Sequence, residues 1–298
     1  MTAVEVNHVY KSYTDVIAVD DLTFSVDPGE ILGLIGPNGA GKSSTIKIIL
    51  DFMKPDSGEV KVFGQLMKEA CKDKIGYLPE ERGLYKRLTA MDLILYLALL
   101  KGMDRATAEK RAYALLKQTG MFENKDKKNK EMCKGMGQLI QFIVTVIHDP
   151  ELIILDEPFS GLDPVRTETV KNIIGKLRDE KKAIILSTHQ MNKVEELCDR
   201  VLMIDRGQQI LYGDLLDTKA KFKRNSVRVA VDGEIGDLPG VIERKPLNGA
   251  VELVLAPDMS PQSILDRLRD QGATINRFEV TSPSLNEIFL TLVGVDHE

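Results

Sequence analysis

With 298 residues, 43% of them hydrophobic, the chain has ample material for a core and is long for one domain, so a main domain and a smaller one are expected. A formal net charge of -5 argues against a general nucleic-acid binder. Cys71, Cys133 and Cys198 show neither disulfide nor metal-ligand spacing and fit a reducing cytosol, while the expected lack of a signal peptide or a bilayer-spanning run leaves any membrane role to partner subunits.

Residues 4–10 alternate apolar and polar side chains and predict a half-buried strand; residues 23–26 predict another. Tyr13 lies between them. An exposed ring there can stack on a purine or pack at a sheet edge, and one tyrosine does not decide which. Asp27-Pro28-Gly29-Glu30 is a turn. It feeds Ile31-Leu32-Gly33-Leu34-Ile35, an apolar run that reads as a buried strand. Residues 42–52 follow as a helix, with Ile46, Ile49 and Leu50 at helical spacing.

Between strand and helix stands Gly36-Pro37-Asn38-Gly39-Ala40-Gly41-Lys42-Ser43, a complete GxxxxGK[ST] phosphate-binding loop in the context the motif needs. Its glycines let successive backbone N–H groups face one concavity, and the helix N-terminus adds a second pull on phosphate oxygens. Lys42 is expected to reach the β- and γ-phosphates, and the Ser43 hydroxyl to ligate Mg²⁺. Ser44 and Thr45 are further candidate phosphate donors. Pro55-Asp56-Ser57-Gly58 is another turn, and residues 60–64 predict a short strand.

Residues 74–83 read as a strand running into a loop. Thr89 and Asp92 form a capping box for a helix whose apolar face is Leu93, Leu97 and Leu100. A second helix spans residues 105–119, with Asp104 as its cap and Gly120 as its stop. The lysine-rich residues 123–130 predict a solvated loop, with a lipid-headgroup or partner contact as the lesser option. A third helix opens at Lys134-Gly135-Met136-Gly137-Gln138 and ends near Pro150.

Leu152-Ile153-Ile154-Leu155-Asp156-Glu157 is a buried strand that delivers two carboxylates at its C-terminal end, the edge where a doubly wound sheet holds its ligands. Neighbouring residues point differently. Asp156 is expected to hold Mg²⁺ through water, and Glu157 to polarise the water that attacks the γ-phosphate. Two carboxylates at a strand end can also cap a following helix, but the phosphate loop upstream weakens that reading. Residues 167–181 predict a helix. Residues 183–187 predict a buried strand ending at Thr188-His189, from which His189 can hydrogen-bond the γ-phosphate and orient the attacking water. His8, His148 and His297 have no such context and are read as structural. Residues 201–204 and 209–212 form a hairpin around Arg206-Gly207.

Residues 219–225 form a basic boundary. Beyond it two strands (227–231 and 251–255), a helix (261–270), a strand (274–280) and a helix (285–293) predict a small α+β domain without a chemical constellation.

The ordered set resembles the ATP-binding-cassette (ABC) ATPases over about the first 215 residues. Residues 152–157 are similar to a Walker B strand with its catalytic glutamate, Ser160-Gly161-Leu162-Asp163 to the D-loop, and His189 to the switch histidine. Met132-Cys133-Lys134-Gly135-Met136 occupies the place of the signature. Leu78-Pro79-Glu80-Glu81-Arg82-Gly83-Leu84-Tyr85 and Pro283-Ser284-Leu285-Asn286-Glu287-Ile288-Phe289 resemble the Q-loop and accessory domain of type-2 exporters, including the sodium-extrusion branch. The sequence departs from the family in four places. Glu80 stands where Gln is usual, Cys133 where Ser is usual, Lys134 at the first signature glycine and Leu139 where a basic residue is common. Glu80 can bind Mg²⁺ but cannot donate as an amide does.

The resemblance implies an α/β P-loop NTPase core at residues 1–220, a helical signature subdomain at about 86–150, and an accessory α+β domain at 221–298. It implies an ATPase using ATP and Mg²⁺. Tyr13, residues 36–44, Glu80, Cys133, Gly135 and Asp163 would contact nucleotide, and Ser43, Glu80 and Asp156 the metal. It implies a head-to-tail pairing with a second ABC subunit, the same or different, and docking of integral-membrane permease subunits around residues 82–91 at the cytoplasmic face. A soluble ABC ATPase acting on nucleic acid or ribosomes is the alternative. The single cassette, the acidic balance and the lack of a basic linker count against it.

Overall fold

A computed structural model of the chain describes every residue except Arg82, Leu84, Lys86, Lys223, Arg224, Glu234 and residues 295–298. Parts of the expected Q-loop and docking segment (Arg82, Leu84, Lys86), two residues of the basic boundary (Lys223, Arg224) and His297 therefore lie outside the described residues. The chain divides into two compact units, Met1–Leu215 and Leu216–Glu298.

The first unit runs β1 (Val4–Tyr13), β2 (Val16–Val26), β3 (Ile31–Ile35), α1 (Lys42–Ile49), β4 (Ser57–Val62), α2 (Glu69–Lys72) and β5 (Ile75–Leu78). It continues with α3 (Ala90–Leu100), α4 (Arg105–Gln118), α5 (Lys134–Val146), β6 (Leu152–Asp156), α6 (Pro164–Asp179), β7 (Ala183–Thr188), α7 (Met191–Leu197), β8 (Arg200–Asp205) and β9 (Gln208–Asp214). Nine strands form one sheet in the order β4-β1-β2-β9-β8-β3-β7-β6-β5. From β8 to β5 the neighbours are parallel, and β3, β6 and β7 are buried along their whole lengths. That double burial is why these strands read as unbroken apolar runs rather than alternations. Each fully buried Ile or Leu contributes about 1.5–3 kcal/mol relative to exposure.

The strand order fixes the site. β3, β7, β6 and β5 are adjacent and parallel, so their C-terminal ends share one edge. The phosphate loop leaves β3 there, Asp156-Glu157 end β6, Thr188-His189 end β7, and Pro79-Glu80 follow β5. α3 packs on α4 and α5, and α5 also packs on β5.

Several elements differ from expectation. α1 stops at Ile49, and Phe52 is exposed. The buried face of α3 is Ala90, Leu93, Ile94 and Ala98, whereas Leu100 is exposed. The buried stripe keeps Leu93 and takes Ala90, Ile94 and Ala98 in place of Leu97 and Leu100. Residues 123–130 are not a free loop. Lys127 and Lys125 carbonyls accept from the N–H groups of Ala90 and Met91, which the start of a helix leaves without intrahelical partners, and Asn129 is buried. α6 starts earlier than residue 167 because Asp163 caps it and Pro164 opens it.

α8 (Leu215–Lys221) starts at the last residue of the first unit and runs into the second, so Lys219 and Lys221 of the basic boundary are helical. β10 (Ser226–Asp232), β11 (Val241–Leu247), β12 (Ala250–Leu255), α9 (Pro261–Asp270), β13 (Thr274–Val280) and α10 (Leu285–Val293) follow. The sheet is antiparallel, in the order β11-β12-β10-β13. β11 is a strand beyond the two expected before α9. Its sequence, Val241-Ile242-Glu243-Arg244-Lys245-Pro246-Leu247, is charged and contains a proline, and it sits at the sheet edge, where proline is tolerated.

Candidate functional site

The phosphate loop joins a buried strand to a buried helix, and its glycines are also structural. Gly36 and Gly41 have φ of 155° and 108°, and a Cβ on either would lie 2.1 Å and 2.2 Å from the carbonyl oxygens of Ile204 and Ala18. No side chain fits at those two points. Lys42 is buried, and its Nζ donates to the carbonyls of Gly36 (2.7 Å) and Pro37 (2.9 Å). Burial holds its pKa below the ordinary lysine value, against the opposing pull of Glu157, Asp156 and Glu80. The Thr45 hydroxyl donates back to the Gly41 carbonyl at 3.0 Å, so this helix residue is committed to its own turn rather than offered to phosphate. Ser43 is exposed and Ser44 half-buried.

Asp156 and Glu157 face different partners. Asp156 is buried, accepting from Ser187 Oγ at 2.7 Å and from Ser43 Oγ at 3.4 Å. Burial raises its pKa, the Ser187 bond opposes the rise, and the charges of Glu80 and Glu157 add to it. Glu157 has φ of 50°, a left-handed backbone that costs a non-glycine residue free energy and is concentrated at functional sites. Its carboxylate accepts from Thr188 Oγ1 (3.0 Å), from the His189 backbone N–H (2.8 Å) and lies 2.7 Å from His189 Nδ1. The Glu157 side chain is 9% exposed and that of His189 59%. The acid is thus sunk at the strand edge, and the imidazole stands over it, open to a ligand.

Ser187 and Thr188 were not singled out by sequence reasoning. The signal was present: two adjacent hydroxyls end an apolar strand next to Asp156-Glu157, and Asp156 pairs with Ser187 in register. Gln138 and Gln141 were also missed. They lie on one face of the buried helix α5. Gln138 donates to the Glu157 and Pro158 carbonyls, and Gln141 to those of Pro79 and Glu81. Polar residues three apart in an otherwise apolar helix were the available sign.

Glu80 is exposed beyond β5, close enough for its charge to act on Lys42, Asp156 and Tyr77. Burial pushes the Tyr77 hydroxyl up to about 12. Among the described residues no group of three or more His, Cys, Asp or Glu could hold a metal alone. The donor set that does converge, Ser43 and Asp156 with Glu80 nearby, is hard oxygen and incomplete. That is the set Mg²⁺ takes when phosphate and water fill its remaining positions, so these residues fit the ion.

Tyr13 ends β1. Its hydroxyl donates to Met53 Sδ at 2.7 Å and Lys11 Nζ lies 5.8 Å from its ring centroid, while 43% of the residue is exposed. It has a packing partner and an open ring. Cys133 and Gly135 start α5, and a Cβ on Gly135 would lie 2.7 Å from the Gly161 carbonyl. The Cys133 thiol is exposed, and the backbone N–H of Met136, with Arg166, lowers its pKa. Asp163 accepts from the Arg166 N–H at 2.9 Å and pairs with its Nε. The structure therefore gathers Cys133, Gly135 and Asp163 around Arg166. No hydrogen bond or ion pair among the described residues joins this cluster to the phosphate loop of the same chain.

Residues 19–160 match the family described as ABC transporter, and residues 213–293 match the ATP-binding protein DrrA1-3-like C-terminal domain. The chain is 38% identical to the uncharacterized ABC transporter ATP-binding protein YhaQ of Bacillus subtilis (strain 168) over 296 residues, 98% of this chain and 99% of that one. This chain is an ABC transporter ATP-binding protein. It is also 30% identical to the Nod factor export ATP-binding protein I of Rhizobium etli, over 100% of this chain and 95% of that one. A solved structure of the ATP-binding subunit of an ABC transporter superposes with a TM-score of 0.70 at 32% identity, covering 74% of this chain and 93% of that chain. The ABC ATPase accordingly has a P-loop NTPase fold. ATP is its ligand, and the edge of β3, β6 and β7 carries groups suited to hydrolysing it. Among the described residues no helix is long and apolar enough to cross a membrane.

Proposed function

We propose that this ABC ATPase powers an exporter through a head-to-tail pair of cassettes bound to integral-membrane permease subunits at the cytoplasmic face. The observation that carries the reading is the convergence of Lys42, Ser43, Asp156, Glu157 and His189 on one sheet edge. Lys42 leaves the Gly36 and Pro37 carbonyls for the β- and γ-phosphates, a trade of neutral acceptors for charged ones. The loop N–H groups and the N-terminus of α1 hold the remaining oxygens. Ser43, Asp156 and Glu80 hold Mg²⁺, which supplies charge neutralisation on the phosphates. Glu157 accepts a proton from the attacking water, and His189 positions that water and the γ-phosphate. Tyr13 stacks on the base.

The cluster of Cys133, Gly135 and Asp163 is offered to the ATP of a second cassette, the same chain or a different one. The exposure of Cys133 and Asp163 and the separation of the cluster from the chain's own loop support that role. The cassette proper takes residues 1–220, with its helical subdomain at about 86–150, and residues 221–298 form the accessory domain. Export rests on the likeness to the Rhizobium relative, a Nod factor export protein, and on the accessory domain match.

Light scattering of Glu157→Gln tests the reading. With Mg·ATP the variant is expected to hydrolyse slowly and accumulate a two-cassette species that ADP does not support. Wild-type turnover in the variant removes Glu157 from the chemistry, and a monomer at saturating Mg·ATP removes the head-to-tail pair.

A further inference from the structure

The accessory unit contains a cavity of about 240 Å³, many times the about 30 Å³ taken by one water. Its position follows from the two faces of the sheet. Val227, Val229, Leu253 and Leu255 point to one face and pack with Ile264 and Leu268 of α9. The alternate residues Ser226, Arg228, Glu252 and Val254 point to the other, as strand geometry requires. That second face forms one wall of the cavity, and Phe222 with Ile288, Leu290 and Thr291 of α10 forms the rest.

A polar row crosses three strands on this face. Glu252 is opposite both Arg228 and Lys245 in register, one acid between two cations. The other acid of the wall, Glu287, is occupied elsewhere: its Oε2 accepts from the N–H and hydroxyl of Ser284 at the start of α10. Ser226 and Thr281 are buried and bonded to each other, and Ser226 Oγ donates to Glu252 at 3.3 Å. Lys245 is paired with Glu243 at 3.4 Å. Arg228 differs from all of these. Its Nε is buried and has no hydrogen-bond partner among the described residues. Among the described residues no hydrogen bond or ion pair engages the rest of its guanidinium either, so its terminal nitrogens are left for a partner in the cavity.

We propose that this cavity binds a small organic carboxylate with an apolar body. The carboxylate meets the terminal nitrogens of the Arg228 guanidinium, the end of the side chain that the buried Nε leaves to the cavity, and lies beside Lys245. The body lies against Phe222, Val254, Ile288 and Leu290. Pockets with a few convergent polar groups on an otherwise apolar wall bind ligands of this amphipathic kind. An inorganic anion would leave half of the wall without a partner.

Calorimetric titration of the full chain with hexanoate, hexanamide, hexylamine and inorganic phosphate tests the site. Hexanoate is expected to bind saturably, with hexanamide, hexylamine and phosphate each weaker by about tenfold or more, the scale of a hydrogen bond to a charged group. Arg228→Gln should weaken hexanoate by a similar factor while ATP binding stays unchanged. Thr291→Trp, at an exposed wall position, should fill the cavity and abolish hexanoate binding even if Arg228→Gln does not fold. Failure of hexanoate to bind, equal binding of hexanamide, hexylamine or phosphate, or undiminished binding in Thr291→Trp would each overturn the proposal.

Discussion

Lys42 is a buried cation whose pKa is held down by burial and whose donors rest on the carbonyls of Gly36 and Pro37. Removing it relieves a buried charge, so Lys42→Ala is expected to fold normally. It should nevertheless weaken ATP binding by about tenfold to hundredfold, because charged hydrogen bonds to phosphate are lost. A thermal melt and a nucleotide titration read the two effects separately, and unchanged affinity would mean that the loop is not the phosphate site. At Cys133 the lowered pKa enlarges the thiolate fraction at neutral pH. Arg166→Gln removes one cause of that shift and should slow iodoacetamide labelling at pH 7. In the Glu157→Gln background Mg·ATP should slow it as well, if a partner's nucleotide covers the thiol. Cys133→Ser restores a stronger donor and should raise turnover in a homodimer. Labelling that ignores ATP, together with ordinary turnover in the serine variant, would take Cys133 away from the nucleotide. Lys42, Ser43, Asp156, Glu157 and His189 were legible in sequence because loop and strand-end motifs carry them. Arg166 was not, because its role comes from helix contacts that no local pattern encodes, while the hydroxyls of Ser187 and Thr188 gave a strand-end signal whose partners only the register shows.

Among elements, α6 gives the sharpest case. Asp163 was read as a D-loop contact, and in the structure its carboxylate also caps the helix. The two roles separate by substitution. Asp163→Ala should cost about 1 kcal/mol of stability through the lost cap, whereas Asp163→Ser keeps a capping oxygen and should cost little. If ATPase activity falls equally in both variants while only alanine destabilises, the carboxylate acts on the nucleotide side. Activity that tracks stability would reduce Asp163 to a cap. The elements recovered best were those with strong internal signals. α9, β13 and α10 have the expected bounds, since Ser260 and Ser284 cap their helices and glycine or proline separates them. β11 was illegible because a charged edge strand carries no clean alternation. α7 and α8 were missed because seven residues hold too few turns to show a period.

At the scale of the whole molecule, the chain divides after Leu215, and the groups proposed to bind ATP within one chain all precede that point. A chain ended there is expected to fold and to bind ATP with an affinity within about threefold of the full chain, since separate units contribute nearly independently. Loss of nucleotide binding in a folded truncation would show that the accessory unit completes the site. The succession of strands and helices, with a restart near residue 225, made two units visible in the sequence. What it left hidden was the order in which nine strands lie side by side, because β3 has β7 and β8 as neighbours, more than 140 residues away in sequence, and no spacing rule reaches that far.

That arrangement presses the phosphate loop against other parts of the sheet. Gly36 fits beneath the Ile204 carbonyl and Gly41 beneath that of Ala18, with no room for a methyl group at either. The loop therefore serves as a keystone of the architecture before any nucleotide arrives. A descendant of this chain that had abandoned ATP hydrolysis would still have to retain both glycines in order to fold, while Lys42 and Glu157 would be free to drift. Survival of the glycine pattern in a degenerate copy would thus record inherited architecture, and the lysine and the glutamate would be the residues that reveal whether the motor still runs.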